Sequence, residues 1–359
     1  MTTGESNQAV TLEASAPTPK KGKPRILILS HLFWPVVGGL VGVPMLLARR
    51  MAQAGYPLSV VTSTPDAPNR ESLGYPVIRQ PSPAELWRAV QSADLIVVNH
   101  PSLQASWPLL FLRKPFVVIV HCWISLRGPS GLLRRSLFRR AAACIAVSQA
   151  IERHLPVRGK VLPNPYDEEI FFPDPSVLRT RDLLFVGRMV IGKGPFDLLE
   201  ALGLLRVRGF FATATLVGYG PAKEEIERRS RELGLEGQIE VRGACEPLTV
   251  AALMRTHRIV VIPSIWEEPF GIVALEAIAC GCGVIGSNGG GLLEAMGPCG
   301  LGYPNGNVRA LAEKVEELLG NPDRIDRLLA GAPEQLAKHT SRAVASRYLE
   351  LFHGILETR

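Results

Sequence analysis

The sequence predicts an α/β protein of two doubly wound domains, each a parallel sheet covered by helices on both faces. Three observations predict it. Short apolar runs of strand length alternate with helical segments along most of the chain. A proline-rich crossing, Val161-Leu162-Pro163-Asn164-Pro165-Tyr166-Asp167 followed by Phe171-Phe172-Pro173-Asp174-Pro175, interrupts that alternation, which then restarts. The 359 residues, 47% apolar and 20% charged, suit two cores of ordinary size rather than a disordered chain.

The first half opens as β–loop–α–β. Arg25 to Leu29 is an apolar run of buried-strand type, stopped by Ser30-His31. The loop Phe33 to Gly39 leads into a helix over Val43 to Ala54, with Val43, Leu46, Leu47 and Met51 at helical spacing. Gly55-Tyr56-Pro57 ends it, and Leu58 to Thr62 is the next strand. Gly38-Gly39 is either a tight turn or a place where backbone comes close to a phosphate or sugar. Helix Pro83 to Gln91, strand Leu95 to Asn99 and strand Phe116 to Val120 continue the series. His121 therefore leaves the carboxyl end of a central strand, the edge where open α/β sheets bind ligands. The helix Gly131 to Arg140 mixes leucines with Arg134, Arg135, Arg139 and Arg140, which suits an anionic membrane, an acidic acceptor or a plain solvated face. Strand Cys144 to Val147 follows, with Ser148 placed to cap the next helix.

The second half repeats the plan. Strand Leu183 to Val186 runs into Gly187-Arg188-Met189-Val190-Ile191-Gly192-Lys193-Gly194, then helix Phe196 to Leu205, strand Thr213 to Val217 and Gly218-Tyr219-Gly220. Helix Lys223 to Leu233 and strand Gln238 to Val241 come next. Arg188 offers a planar fork and Lys193 a mobile point charge, flanking a glycine loop directly after a strand, a pairing suited to a diphosphate. Further on, strand Gly283 to Gly286, helix Val308 to Leu319 and an amphipathic helix Ser341 to Thr358 are expected.

Between them lies Glu268-Pro269-Phe270-Gly271-Ile272-Val273-Ala274-Leu275-Glu276. Ile259 to Pro263 reads as a buried strand, Ser264 to Glu267 as a loop, and Gly271 to Ala279 as a helix opening beside a pocket. Free amides at Gly271, Ile272 and Val273, with the helix dipole, favour an anion there, and phosphate is the anion expected. Glu268 falls in the loop. Glu276 falls two turns into a helix that is apolar nearly all round, where a carboxylate needs a partner or a ligand.

Other classes are narrowed by composition. No apolar run reaches the ~18 residues of a membrane span. The first twenty residues lack an apolar export segment, so residues 1–23 read as a disordered leader and the location as cytoplasmic. The six cysteines are scattered among apolar neighbours and read as reduced, packed thiols. Cys280-Gly281-Cys282 has no second pair at zinc spacing, so no metal is expected. A net charge of +7 and a pI near 9.2 fit anionic partners. Nucleic acid is disfavoured, because the basic residues are not interleaved with aromatics.

Together these segments resemble the retaining glycosyltransferases of the GT-B fold, in the large fourth family, glycosyl transferases group 1, which includes sucrose synthases and bacterial lipid mannosyltransferases. Glu268 to Glu276 looks like its E-x7-E motif, Gly187 to Gly194 its G-R-L-x-x-x-K-G segment, and Val217-Gly218-Tyr219-Gly220-Pro221 its V-G-x-G-P turn. Leu162 to Asp167 is similar to P-N-G-V-D, with Pro165 and Tyr166 departing from it, and Gly290 to Glu294 to G-G-I-P-E, with Leu293 in place of proline.

The resemblance implies two Rossmann-like doubly wound domains facing across a cleft: an acceptor domain over residues 24–165, a donor domain over 166–340, and a helix over 341–359 crossing back to the first. It implies transfer of a hexosyl group from a UDP- or GDP-linked sugar to a saccharide or lipid-linked acceptor, in cell-envelope or polysaccharide synthesis. No cofactor is implied, and peripheral contact with the inner face of a membrane through the four arginines would fit. Arg188 and Lys193 would hold the diphosphate, Glu276 the ribose hydroxyls, and Glu268 and His121 the donor sugar. Gly39 would close over the diphosphate beside Gly38, with Gly218, Phe270, Gly271, Ile272 and Val273 completing the donor site. An epimerase or phosphorylase on the same fold, or a non-catalytic membrane-associated subunit, are the competing readings.

Overall fold

A computed structural model describes residues 22–36, 38–66 and 73–358; most of the expected leader lies outside them. Their strands form two wholly parallel sheets. The first contains β1 (Ile26–Ser30), β2 (Leu58–Thr62), β3 (Val77–Arg79), β4 (Leu95–Asn99), β5 (Phe116–Val120), β6 (Ala143–Ala146) and β7 (Lys160–Val161). The second contains β8 (Arg181–Val186), β9 (Ala214–Val217), β10 (Ile239–Arg242), β11 (His257–Ile262), β12 (Gly283–Ser287) and β13 (Gly300–Tyr303). Their orders are β3-β2-β1-β4-β5-β6-β7 and β10-β9-β8-β11-β12-β13.

Both orders reverse direction beside the first strand of their sheet, which opens a crevice between β1 and β4 and another between β8 and β11. The central strands β1, β4 and β5 are buried along their whole length, as continuous apolar runs in a sheet covered on both faces must be. The expected doubly wound architecture is borne out, with strand limits shifted by a residue or two.

Helix Gly39–Gln53 starts four residues earlier than the apolar spacing indicates, its first turn being glycine-rich. Helix Pro83–Ser92 opens on a reciprocal capping box, in which Ser82 accepts from the Glu85 amide and Glu85 accepts from the Ser82 amide. Ser148 caps helix Gln149–Glu152 as expected.

The halves are joined twice, and the two crossings touch. Tyr166 pairs with Thr340 in an isolated parallel bridge, and the Tyr166 amide donates to the His339 carbonyl at 3.0 Å. Beyond that point helix Ser341–Glu357 packs on helix Gly39–Gln53, with Tyr348 and Phe352 set against Ile28, Leu47 and Met51. Buried Arg50 fastens the same corner. It donates to Glu169 at 2.6 Å and to Ser341 at 2.6 Å, and pairs with Glu168 at 3.3 Å. One apolar core runs from the first sheet through Tyr166, Phe171 and Phe270 into helix Ile272–Ala279, while a second fills the other face of the second sheet. All six cysteines are free thiols.

Candidate active site

Two loops at the crevice of the second sheet build the site. The loop after β8, Gly187 to Gly194, and the loop after β11, Pro263 to Pro269, are zipped together by the Ile265 and Trp266 amides donating to the Gly192 carbonyl at 3.0 and 3.3 Å. Gly194 allows this approach. Its φ is +68°, and a Cβ would lie 1.7 Å from the Pro263 carbonyl oxygen. Gly218 does the same for the neighbouring turn, where a Cβ would meet the Gly187 carbonyl oxygen at 1.8 Å.

The zipped loops bring Lys193 to Glu268, Nζ to Oε1 at 2.6 Å. That oxygen also accepts from Trp266 Nε1 at 3.0 Å and from the Ser264 hydroxyl in a short hydrogen bond. Glu268 is only 4% exposed. Burial alone would push its carboxyl up, but the Lys193 charge and the three hydrogen bonds outweigh burial and hold it below its ordinary value. Above the pair, the Trp266 indole carries two cations, Lys193 Nζ at 5.0 Å and Arg188 Cζ at 5.6 Å from the ring centroid. Arg188 is exposed and forms no ion pair among the described residues.

Helix Ile272–Ala279 begins beside this cluster, with Gly271 at φ +94° as its cap. Among the described residues no hydrogen bond occupies the amides of Gly271, Ile272 or Val273, the unpaired donors expected of a helix start. The helix opens at Ile272, so Glu276 is its fifth residue, just over one turn in; the expected depth of two turns was too great, since an opening at Gly271 adds only about a quarter of a turn. The helix is buried as expected, but Glu276 itself is only half-buried. Burial, and behind it the charge of Asp167, raise its pKa to about 7. Phe270 turns its ring inward, 2% exposed and tilted against His339 at 5.7 Å, so only its backbone can meet a ligand. Gly39 faces the Ile272 side chain, 3.6 Å from where a Cβ would sit, while the space around Gly38 is open.

Across the cleft, His121 directly follows β5 and is buried. Its Nδ1 lies 3.2 Å from Asn164 Oδ1. An amide oxygen only accepts, so Nδ1 carries the proton and Nε2 is left a bare acceptor, buried and unpartnered. Burial, with a smaller effect of His100, pushes this imidazole down to about 3. The Asn164 carbonyl in turn accepts from His339 Nδ1 at 3.3 Å.

The halves meet on the backbone around Glu268. The Glu267 carbonyl accepts from Trp123 Nε1 at 2.8 Å and the Pro269 carbonyl from Ser148 Oγ at 2.6 Å. The Glu294 carboxylate receives the Gln149 amide at 2.9 Å. Sequence reasoning gave no role to Trp266, Ser264, Asn164, His339 or Glu294, and saw Ser148 only as a helix cap. Asn164 and Glu294 sit inside motifs it did single out, and Ser264 and Trp266 lie four and two residues before Glu268, so their reach to it was the available signal.

Two doubly wound domains facing across a cleft, with Arg188, Lys193 and a helix N-terminus gathered at the crevice of the second, define a two-domain protein of the GT-B type. The chain belongs to the corresponding glycosyltransferase family: the model described as "Glycosyl transferases group 1" matches residues 167–335, and the one described as "Glycosyltransferase Family 4" matches residues 37–169. Among curated proteins it is similar to the D-inositol 3-phosphate glycosyltransferase of Thermobispora bispora, 31% identical over 57% of this chain and 52% of that protein. It is also similar to the glycogen synthase of Mycobacterium tuberculosis, 33% identical over 48% of this chain and 43% of that one. The chain thus spans about half the length of the curated relatives it matches. Similar solved structures include HepE of Anabaena in complex with UDP, with a TM-score of 0.80 and 22% identity over 92% of this chain and 100% of that chain. Sucrose-phosphate synthase of Thermosynechococcus elongatus matches with a TM-score of 0.79 and 21% identity over 94% of this chain and 100% of that one. At these identities the likeness establishes the fold. No helix among the described residues is long and apolar enough to cross a membrane.

Proposed function

We propose that the protein is a retaining glycosyltransferase, moving a hexosyl group from a UDP- or GDP-linked sugar to a saccharide or lipid-linked acceptor. The observation that carries this reading is the convergence on one crevice of Arg188, Lys193 and three free helix amides, with Glu268 beneath them. A diphosphate is the ligand whose charge and spread of oxygens match such a set. The match to HepE, solved with UDP and with UDP-glucose, supports a nucleotide sugar.

In this reading Arg188 and Lys193 neutralise the diphosphate as it leaves, and the amides of Gly271 to Val273 assist. Glu276 accepts from the ribose hydroxyls. The bare Nε2 of His121 accepts from a hydroxyl of the donor sugar, while Glu268 borders that sugar and holds Lys193 in place. The acceptor hydroxyl attacks the anomeric carbon on the face that the phosphate is leaving. The carbon–oxygen bond to phosphate breaks, and the acceptor's proton passes to the departing phosphate oxygen, so configuration is kept. Protein cations take the part of a divalent ion, and turnover is expected to survive EDTA.

The test is a thermal-shift screen of the full chain with UDP, GDP, ADP and their sugars. A ligand at a hundred times its Kd stabilises by about 2.7 kcal/mol. Arg188→Ala should weaken diphosphate binding by about 1.5–3 kcal/mol, the scale of a charge-assisted hydrogen bond. If no nucleoside diphosphate moves the melting temperature, the proposal fails.

A further inference from the structure

The chain's positive charge is concentrated in one place. Residues 95 to 151 contain seven lysines and arginines (Arg113, Lys114, Arg127, Arg134, Arg135, Arg139 and Arg140) and no aspartate or glutamate. The chain's 40 basic residues less these seven equal its 33 acidic ones, so this segment accounts for the whole net charge of +7.

Within it lies helix Gly128–Arg140. Gly131, Leu137 and Phe138 bury one side of it, and Arg134 and Arg140 are tied down by bonds to the carbonyls of Ser125 and Leu110 at 2.9 and 2.7 Å. The outer side presents Leu132 at 69% exposure, Leu133 at 46%, and exposed Arg135 and Arg139. Those two arginines form no hydrogen bond or ion pair among the described residues. The Arg140 bond brings the loop of Phe111, itself 70% exposed, against the carboxyl end of the helix. Apolar and cationic side chains therefore share the exposed side of the helix, with no acidic neighbour in the segment.

We infer that this face docks on an anionic lipid bilayer. Arginines alone would suit any polyanion. Leucines exposed between them bury favourably only where charged headgroups overlie hydrocarbon, with the leucines reaching the acyl boundary and the guanidiniums staying at the phosphates. A single-stranded nucleic acid would instead need a row of stacking aromatics, and the outer side of this helix carries none. The helix starts five residues beyond Trp123, whose indole spans the cleft, so docking sets the rim of the cleft near the headgroups.

The experiment is sedimentation of the full chain with phosphatidylcholine vesicles, and with vesicles in which part of that lipid is replaced by phosphatidylglycerol. Binding to the anionic vesicles alone is expected, weakening with salt. Near the surface each basic side chain contributes about fivefold to the partition coefficient, so Arg135→Ala with Arg139→Ala should lower it about thirtyfold. Leu132→Ser with Leu133→Ser should lower it too while leaving the salt dependence in place, and both variants should keep the parent's melting temperature. A chain that stays in the supernatant with anionic vesicles overturns the inference. So does one whose binding ignores the leucine changes and is matched by a single-stranded oligonucleotide, since that behaviour belongs to a general polyanion surface. Neither outcome depends on whether the crevice binds a nucleotide.

Discussion

Removing Lys193 should expose how Glu268 is kept charged. The carboxylate, 4% exposed in the parent, loses in Lys193→Ala its only ion-pair partner among the described residues, which sits at 2.6 Å. Stranding a buried charge costs about 3–5 kcal/mol. The hydrogen bonds from Trp266 and Ser264 survive, so the low end applies, about 3 kcal/mol. For domains of this size that is a fall of about 6–12 °C in Tm, read by calorimetry on the transition containing the second sheet.

The pH dependence carries the sharper information. In the parent, the folded pKa of Glu268 lies below its unfolded value. Its stabilising contribution is therefore complete above about pH 4.3, the unfolded carboxylate value, and is lost as the pH falls through the lowered folded pKa. In the variant, burial is opposed only by the Ser264 and Trp266 hydrogen bonds and lifts the folded pKa above the unfolded one, so the same group destabilises at neutral pH and recovers on acidification. The Tm gap between the two proteins should narrow steadily from about pH 7 to about pH 4. Glu268→Gln in the Lys193→Ala background should restore much of the loss, because no buried charge remains. A gap that stays constant with pH, or a loss below the 1 kcal/mol or so of an exposed pair, would refute the reading that Lys193 holds Glu268 ionised.

Further outcomes follow from the other ionisable groups and contacts. Glu276, raised to about 7, should accept both ribose hydroxyls strongly once deprotonated, when both its oxygens are charged acceptors; calorimetric titration should show nucleoside-diphosphate affinity rising with pH through about 7, and Glu276→Gln should flatten that slope. The sign for stability is opposite, since a raised carboxyl stabilises below its folded pKa and loses that contribution as the pH rises from about 4.5 toward 7. Asn164→Asp should place a carboxylate on His121 Nδ1 and raise the imidazole pKa, converting Nε2 from an acceptor into a donor; nitrogen NMR should show that change, and turnover should fall most at low pH. Ser148→Ala should remove the bond to the Pro269 carbonyl, worth about 0.5–1.5 kcal/mol, and lower kcat while leaving UDP or GDP affinity nearly unchanged.

What could be read from the sequence divides along physical lines. Strands such as Leu95–Asn99 and Phe116–Val120 were legible to the residue because continuous apolar runs between stop signals have few other uses. Lys160–Val161 was not, being two exposed residues long, nor was Gly300–Tyr303, half of which is glycine. In the site, the glycine loops marked where backbone comes close, and so placed Arg188 and Lys193 correctly on the edge of the sheet. The pairing of Lys193 with Glu268 spans 75 residues and the contact of His339 with Asn164 spans 175. Neither leaves a local pattern, because each depends on how two separately folded segments pack. Glu276 shows a limit at short range too: the motif put it on the helix, but only the packing of that helix leaves it half-buried while its neighbours are buried.

The three carbonyls around Glu268 link closure of the cleft to the chemistry proposed there. Glu267 accepts from Trp123 and Pro269 from Ser148, both on the first half, while the carbonyl of Glu268 accepts from the Gly291 amide at 2.7 Å. Three consecutive peptide groups are thus fixed from three directions, two of them across the cleft. A carboxylate on such a backbone has little freedom beyond its own side-chain torsions, and Lys193, Ser264 and Trp266 remove most of that. Separating the halves would release the flanking carbonyls, leaving Glu268 held by its side chain alone. The cations and the helix amides, in contrast, all belong to the second half and keep their places whether the cleft is open or shut. Binding of the diphosphate should therefore be a property of the second half, and alignment of the sugar a property of the closed pair.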